Sequence, residues 1–342
     1  MIQDLDLLLP LIEECRREKL PLRVFVHRDL PMRSPRVTKI LESKKISFRI
    51  GSRFLKREII SPVLFNIRAV VTAVETNQSP HLPAFKLVRR AKLKNIPTIT
   101  LQHGFENIGL TYSDEEYSVS KVSFLSDVIL TWQNKNFFHK DVSEETRSKC
   151  VPVGLLKEKT PVLPFRFSWQ GQKKTVAIFE NLHWKRFSES YRSQFLESVV
   201  QAAQKFPDFN FFVKPHHAGG WLIKSLRGKQ LPNLQNLIVA DPNDPQWEPF
   251  TGPSIIQAAD FVLTTPSTIA VDAVLMQKPV AVFKFDLELD NYRPLPLIER
   301  AEQVFEFLQN PKPQEFSSQQ FLKERFSSLD GIATVGKYLK NL

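Results

Sequence analysis

Cysteine is nearly absent: Cys15 and Cys150 are the only two in 342 residues, and neither sits in a CxxC pair or at a zinc-like spacing from histidine. That excludes a disulfide scaffold and a structural zinc site, and fits a reducing compartment with both thiols inert. Glycine is also scarce, 11 residues against 24 prolines, which implies many fixed loops and few flexible linkers. No short repeat or low-complexity segment appears. The N-terminal stretch MIQDLDLLLPLIEECRREKL is interrupted by Asp4, Asp6 and Pro10, so it reads as neither a signal peptide nor a membrane span. The expected location is cytoplasmic, with peripheral contact at the inner face of the membrane left open. No RNP-type or zinc-knuckle motif accompanies the positive charge, and nucleic acid is not expected as a partner.

What is present is a basic, ordinarily globular composition. Apolar residues make up 42% and charged residues 24%, and 47 Lys and Arg against 36 Asp and Glu leave a net charge of +11. Such a surface favours anionic partners such as nucleotide phosphates or anionic lipid. The 27 phenylalanines fall mostly in apolar runs such as FNFFVK and VAVFKF, where burial explains them.

Short β-rich runs alternate with longer amphipathic segments, the pattern of a parallel sheet covered by helices. In the first half LRVFVH, ISFRIG, AVVTAV, IPTITLQ and DVILTW read as strands. SPRVTKILESKK and PHLPAFKLVRRAKLKN read as helices, the first capped by Ser34 with Pro35 in its first turn. In the second half the strands are KTVAIFE, FNFFVKP, NLIVADP, DFVLTT and PVAVFKF. The helices are ESYRSQFLESVVQAAQKF, GPSIIQAA and STIAVDAVLMQ. The expected organisation is a Rossmann-like domain over 1–155, a Pro-bearing linker over 156–172, and a second Rossmann-like domain over 173–342, with a ligand in the cleft between them.

Ligands of open α/β sheets collect beyond the carboxyl ends of strands, which selects the residues following each one. The loop Thr264-Thr265-Pro266-Ser267-Thr268 precedes a helix, where hydroxyls and free amides favour an anion; the same Thr265 and Ser267 would serve equally as caps. Asp272 on that helix reads as solvent-facing or supporting. Lys214 and His216 end the strand FNFFVKP as donors for phosphate oxygens, with Pro215 fixing the turn. Adjacent His217 would point elsewhere, so the pair is not expected to bind metal. Glu180 follows KTVAIFE, and Asp241 and Asn243 follow NLIVADP, as base or ribose contacts or as turn formers. DLELD at 286–290 is an ordinary alternating segment, and no obligatory metal is expected.

LQHG, KPHH and ADFVLTTPSTIAVDAVLMQKPVAVF together resemble the GT-B glycosyltransferases of bacterial surface-polysaccharide synthesis. The similarity is greatest to cytidine-nucleotide users: Kdo transferases, bacterial sialyltransferases and, more distantly, CDP-glycerol glycerophosphotransferases. The chain departs from the pattern where His217 replaces a common proline and where TTPST replaces a DYSS-type loop. The resemblance implies an α/β fold of two Rossmann-like domains facing a central cleft. It implies transfer of a sugar, Kdo first, from CMP-Kdo to a saccharide or lipid-linked acceptor, the nucleotide sugar acting as co-substrate. Lys214, His216, Thr265, Ser267 and Thr268 would then hold the donor phosphate. His103 would donate to substrate beside Gly104, with Glu106 as general acid or base for the acceptor and Glu180 as a second carboxylate. A nucleotide-sugar 2-epimerase, a UDP- or GDP-sugar transferase and a non-catalytic sugar- or lipid-binding module are the alternatives on the same fold.

Overall fold

The computed structural model describes residues 4–51, 64–158, 167–168, 173–216, 220–226, 234–309 and 314–342. The chain forms two compact units. The first comprises Met1–Ser113, Tyr117–Glu158 and Arg325–Leu342, and the second comprises Asp114–Glu116 and Lys159–Glu324.

The first unit opens with α1 (Asp4–Arg17), which carries Asp4 and Asp6 in its first turn and Arg16 and Arg17 in its last, both in the sense the helix dipole favours. β1 (Val24–Val26), α2 (Leu30–Arg33), α3 (Pro35–Ser43) and β2 (Phe48–Ile50) follow, with β1 and β2 paired in parallel. Ser34 supplies no side-chain capping bond to α3, contrary to expectation; its carbonyl instead accepts from Val37 N at 3.1 Å. Leu5, Ile12, Val26, Val37, Ile40, Leu41 and Ile46 pack as one core. The unit continues through β3 (Val70–Thr72), α4 (Leu82–Lys92), β4 (Thr98–Leu101), β5 (Val128–Thr131), α5 (Glu144–Lys149) and β6 (Cys150–Pro152). These strands form a parallel sheet in the order β3-β4-β5-β6. β4 is buried along its whole length, as a strand covered on both faces must be.

The second unit runs β7 (Lys174–Glu180), α6 (Glu189–Lys205), β8 (Phe209–Pro215), α7 (Trp221–Leu226), β9 (Leu237–Val239), α8 (Gly252–Ala258), β10 (Phe261–Thr264), α9 (Ile269–Leu275), β11 (Val280–Phe283), β12 (Leu297–Ile298), α10 (Ala301–Gln309) and α11 (Glu315–Arg325). Its parallel sheet has the order β12-β11-β10-β7-β8-β9, the 3-2-1-4-5-6 order of a dinucleotide-binding fold. Ser188 caps α6 by accepting from Tyr191 N at 2.9 Å. Tyr191, Phe195, Val199 and Ala202, spaced at helical intervals, pack against Val176, Ile178, Phe211 and Val213. The Tyr191 hydroxyl donates to Phe283 O at 2.7 Å, which satisfies its one polar atom inside that core.

The α/β class and all ten expected strands are present. β6 and β12 are additions: one is three residues ending in Pro152 and the other two residues directly after Pro296, too short for either to show a period. The chain's end also differs from the expected 173–342 domain. From Arg325 it packs with the first unit and closes with α12 (Gly331–Lys340). Phe326 sits 5.9 Å from the Phe105 ring and 6.3 Å from Trp132, Leu155 N donates to Ser328 O at 2.8 Å, and Lys340 pairs with Glu18 at 3.0 Å. Contacts across such sequence separations leave no local pattern to read.

Gly154 makes this return possible. Its φ is +97°, and a Cβ there would lie 2.4 Å from Ser328 O. Gly154→Ala should cost about 1–3 kcal/mol, whereas Gly220→Ala, at φ +54° with open space around it, should cost only about 1 kcal/mol. Denaturant melts of the two variants beside the parent check this ordering.

Candidate active site

β7 and β10 are neighbours, and the connections leaving them run toward opposite ends of the sheet order. A parallel sheet opens a crevice at such a reversal, beyond the strand ends. The two loops there are bonded to each other. Thr265 N donates to Phe179 O at 3.0 Å, Asn181 N donates to Thr265 Oγ1 at 3.1 Å, and Thr265 Oγ1 donates to Asn181 Oδ1 at 2.7 Å. Asn181 Nδ2 and Arg186 NH2 then both donate to Pro266 O, at 3.0 and 3.1 Å.

This network gives the expected phosphate loop a different character. The Thr265 hydroxyl is buried and committed to Asn181. Ser267 Oγ accepts from Ile269 N at 3.1 Å and lies 3.3 Å from Thr264 Oγ1. Ala270 N and Val271 N are bonded to the carbonyls of Ser267 and Thr268. The first amides of α9 are thus largely satisfied by its own loop, as caps. Asp272, expected at the solvent or in support, is buried.

Glu180 is the last residue of β7 and is buried. Its Oε2 accepts from Leu182 N at 2.7 Å, and Oε1 is buried without a hydrogen-bond partner among the described residues. Burial pushes its carboxyl up to about 7, and the amides of Leu182 and Leu222 offset this only in part. His216 N donates to Glu180 O at 2.8 Å, which places the end of β8 beside it. The His216 ring stacks on His183 at 4.8 Å, and His183 lies 4.6 Å from Trp184. Lys214 is in register with Phe179, not with Glu180, so the Lys214 and Glu180 side chains leave opposite faces of the sheet. His217 lies outside the described residues. Asp241 accepts from the amide and side chain of Asn243, at 2.8 and 2.9 Å. It follows β9, two strands from β7, and is not brought to Glu180.

The first unit holds a separate cluster after β4. Gln102 is buried: its Nε2 donates to Gly104 O at 2.8 Å, and its Oε1 accepts from Trp132 N at 2.9 Å. His103 N donates to Asn107 Oδ1 at 2.8 Å. These bonds fix a tight loop in which His103 Nε2 lies 3.5 Å from Asp4 Oδ1 on α1. Glu106, on the same loop, is half-buried. His81 Nδ1 is 2.6 Å from Thr76 Oγ1; burial, followed by the charge of His103, lowers its pKa to about 4, so this ring is neutral at pH 7. Sequence reasoning gave no role to Asp4 or His81, took Asn181 and His183 only as loop neighbours of Glu180, and did not pair His183 with His216. Asn181 was signalled as the residue directly after a strand. Among the described residues, no group of three or more His, Cys, Asp or Glu is placed to hold a metal ion, and no helix is long and apolar enough to cross a membrane.

No protein-family model matches the chain, and no curated protein matches it. Solved structures do share its fold. MnaA of S. aureus, in a co-structure with UDP, aligns with a TM-score of 0.63 at 14% identity, over 100% of this chain and 95% of that one. The UDP-GlcNAc 2-epimerase from Neisseria meningitidis bound to UDP-GlcNAc gives 0.57 at 16% identity, over 100% and 96%. The wall teichoic acid polymerase TagF with CDPG gives 0.55 at 13% identity, over 98% and 84%. The chain therefore has the α/β fold of the GT-B type that the sequence implied.

The Glu180 carboxyl makes stability depend on pH in a defined sense. Below the ordinary value of 4.5 both the folded and unfolded states hold the proton. Between 4.5 and about 7 only the unfolded state releases it, so stability falls across that window and levels off above it. Glu180→Gln removes the dependence, and its advantage over the parent should grow by on the order of 3 kcal/mol between pH 4.5 and pH 8. Denaturant melts of both proteins at several pH values measure it; parallel curves for the two would show that Glu180 does not titrate in this way.

Proposed function

We propose that the protein is an enzyme acting on a nucleotide sugar, with the nucleotide phosphate held at the carboxyl ends of β7, β8 and β10. The observation that carries this reading is Glu180, a buried carboxyl poised near neutral pH at the strand reversal and adjoining the His183–His216 stack. Groups tuned to exchange a proton at working pH belong to acid–base chemistry. The matched structures support the ligand class, since their names include UDP, UDP-GlcNAc and CDPG.

The favoured reaction is 2-epimerisation of a UDP-linked sugar. Three UDP-GlcNAc 2-epimerases, from N. meningitidis, Listeria monocytogenes (a putative one) and Methanocaldococcus jannaschii, share the fold over 94–97% of their own length. Loss of the C2 proton to a base, with the C1–C2 double bond forming as the bond between the anomeric carbon and the phosphate oxygen breaks, leaves negative charge on the nucleotide; return of a proton to the other face of C2 and re-formation of the C1–O bond complete the inversion. His216, with Lys214 from the other sheet face, would neutralise that charge, and Glu180 would take a proton as the carboxylate or return one as the carboxylic acid. His103 and Glu106 are proposed as further proton-transfer groups, His103 held by Asp4. Thr265, Ser267 and Thr268 shape the phosphate loop, and Asp241 reads the nucleoside.

The second reading is transfer from a cytidine nucleotide, with Kdo as the sugar and a saccharide or lipid-linked acceptor. The LQHG and KPHH loops favour it, as does the shared fold of TagF with CDPG.

Thermal melts with CMP, CDP, UDP, GDP and ADP decide the nucleotide, because a ligand of the folded state raises Tm. UDP should stabilise most, and His216→Ala should weaken UDP roughly 10- to 100-fold through loss of a hydrogen bond to a charged group. Incubation of UDP-GlcNAc in deuterated water should then give acceptor-free turnover with deuterium at C2. Transfer seen only when an acceptor is present would select the second reading, and no response to any nucleotide would sink both.

A further inference from the structure

The amino ends of the first unit's strands carry a surface that this chemistry leaves unused. Just before β1 come Leu22 and Arg23, before β3 come Phe65 and Arg68, and before β4 come Leu93 and Lys94. β3 and β4 are parallel neighbours, so their amino ends share one edge; β1 belongs to the separate β1–β2 pair, and Arg23 NH1 donates to Phe65 O at 2.8 Å, which ties the β1 side to the β3 side. Leu64, Val70 and Ala91, with Ile67 and Ile96, form a small core beneath the edge. Phe65 and Leu93 turn away from that core: each is 79% exposed, and Leu22 is 43% exposed. Arg23, Arg68 and Lys94 are exposed around them, and α4 carries Arg89, Arg90 and Lys92 in its last turn with no acid in its first. Asp127, which shares the edge, is engaged by Lys92 and by the amide and hydroxyl of Thr98.

We propose that this amino-end edge docks on an anionic lipid bilayer, with Phe65 and Leu93 entering the headgroup layer and Arg23, Arg68 and Lys94 over lipid phosphates. The pattern discriminates among partners. A protein interface has a charge-depleted apolar centre and is poor in lysine, whereas here apolar side chains stand among cations. A nucleic acid would meet the cations but offers no apolar layer for Leu93. A bilayer surface offers both, a negative potential worth about 1 kcal/mol per nearby Lys or Arg and an apolar boundary for inserted side chains. The proposal does not rest on the nucleotide reading, because the strand ends used there are the opposite ones.

Co-sedimentation of the full chain tests it, with vesicles of equal parts phosphatidylglycerol and phosphatidylcholine set against phosphatidylcholine alone. Binding is expected to the anionic vesicles only and should weaken as salt rises. Phe65→Ser with Leu93→Ser should reduce it at least about tenfold. Arg68→Glu with Lys94→Glu should reduce it by roughly fivefold or more per residue. Both double variants should keep the parent's Tm and its response to nucleotides, which separates lost docking from lost folding. Equal binding to both vesicle types, unchanged binding by either double variant, or no vesicle binding together with a dimer that Phe65→Ser and Leu93→Ser dissolve would each overturn the proposal.

Discussion

The pairing of β7 with β10 is the constraint on which the second unit depends. These strands are separated in sequence by three helices and two other strands, yet they lie side by side at the centre of the sheet. Once they do, the chain must leave their carboxyl ends in opposite directions, and a crevice opens that no helix can cover. The Asn181–Thr265 bonds close the floor of this crevice. The side chains of Asn181 and Thr265 serve the backbone reversal first, and Glu180, His183 and His216 lie beside them at the ends of β7 and β8.

This ordering of demands explains why Glu180 differs from the surrounding hydroxyls. Thr265 and Ser267 can bond to neighbouring main chain and lie at low energy. A carboxylate at the end of a strand buried on both sides has only the amides of Leu182 and Leu222 to set against its burial. The fold tolerates it by keeping it protonated further up the pH scale.

Much of the framework was legible because parallel strands covered on both faces must be apolar runs, and KTVAIFE and FNFFVKP mark their own ends by Glu180 and by Pro215. The same logic located the strand-end loops, and hence His103, Glu180 and His216. It could not show that Lys214 and Glu180 leave opposite faces, because that depends on the β7–β8 register. Nor could it find Asp4 beside His103 or α12 packed with the first unit, since these are meetings of residues roughly a hundred or more positions apart. Capping and phosphate binding could not be told apart in TTPST for a related reason: hydroxyls before a helix look alike in sequence whether they are available or already bonded to a residue such as Asn181.

Strand polarity then separates two kinds of surface in the first unit. The carboxyl end after β4 is tightened by Gln102, Asn107 and Thr111 into a loop with little freedom, which suits a group that must hold one geometry. The amino end is joined by turns whose large apolar residues project outward, and none of its cations needs a fixed position to act on a diffuse negative surface. A parallel sheet can therefore place exacting chemistry and tolerant docking at its two ends without either compromising the other. The cost is borne at the amino end, where exposed Phe65 and Leu93 weaken solubility; the surrounding Arg and Lys offset that by keeping the edge charged.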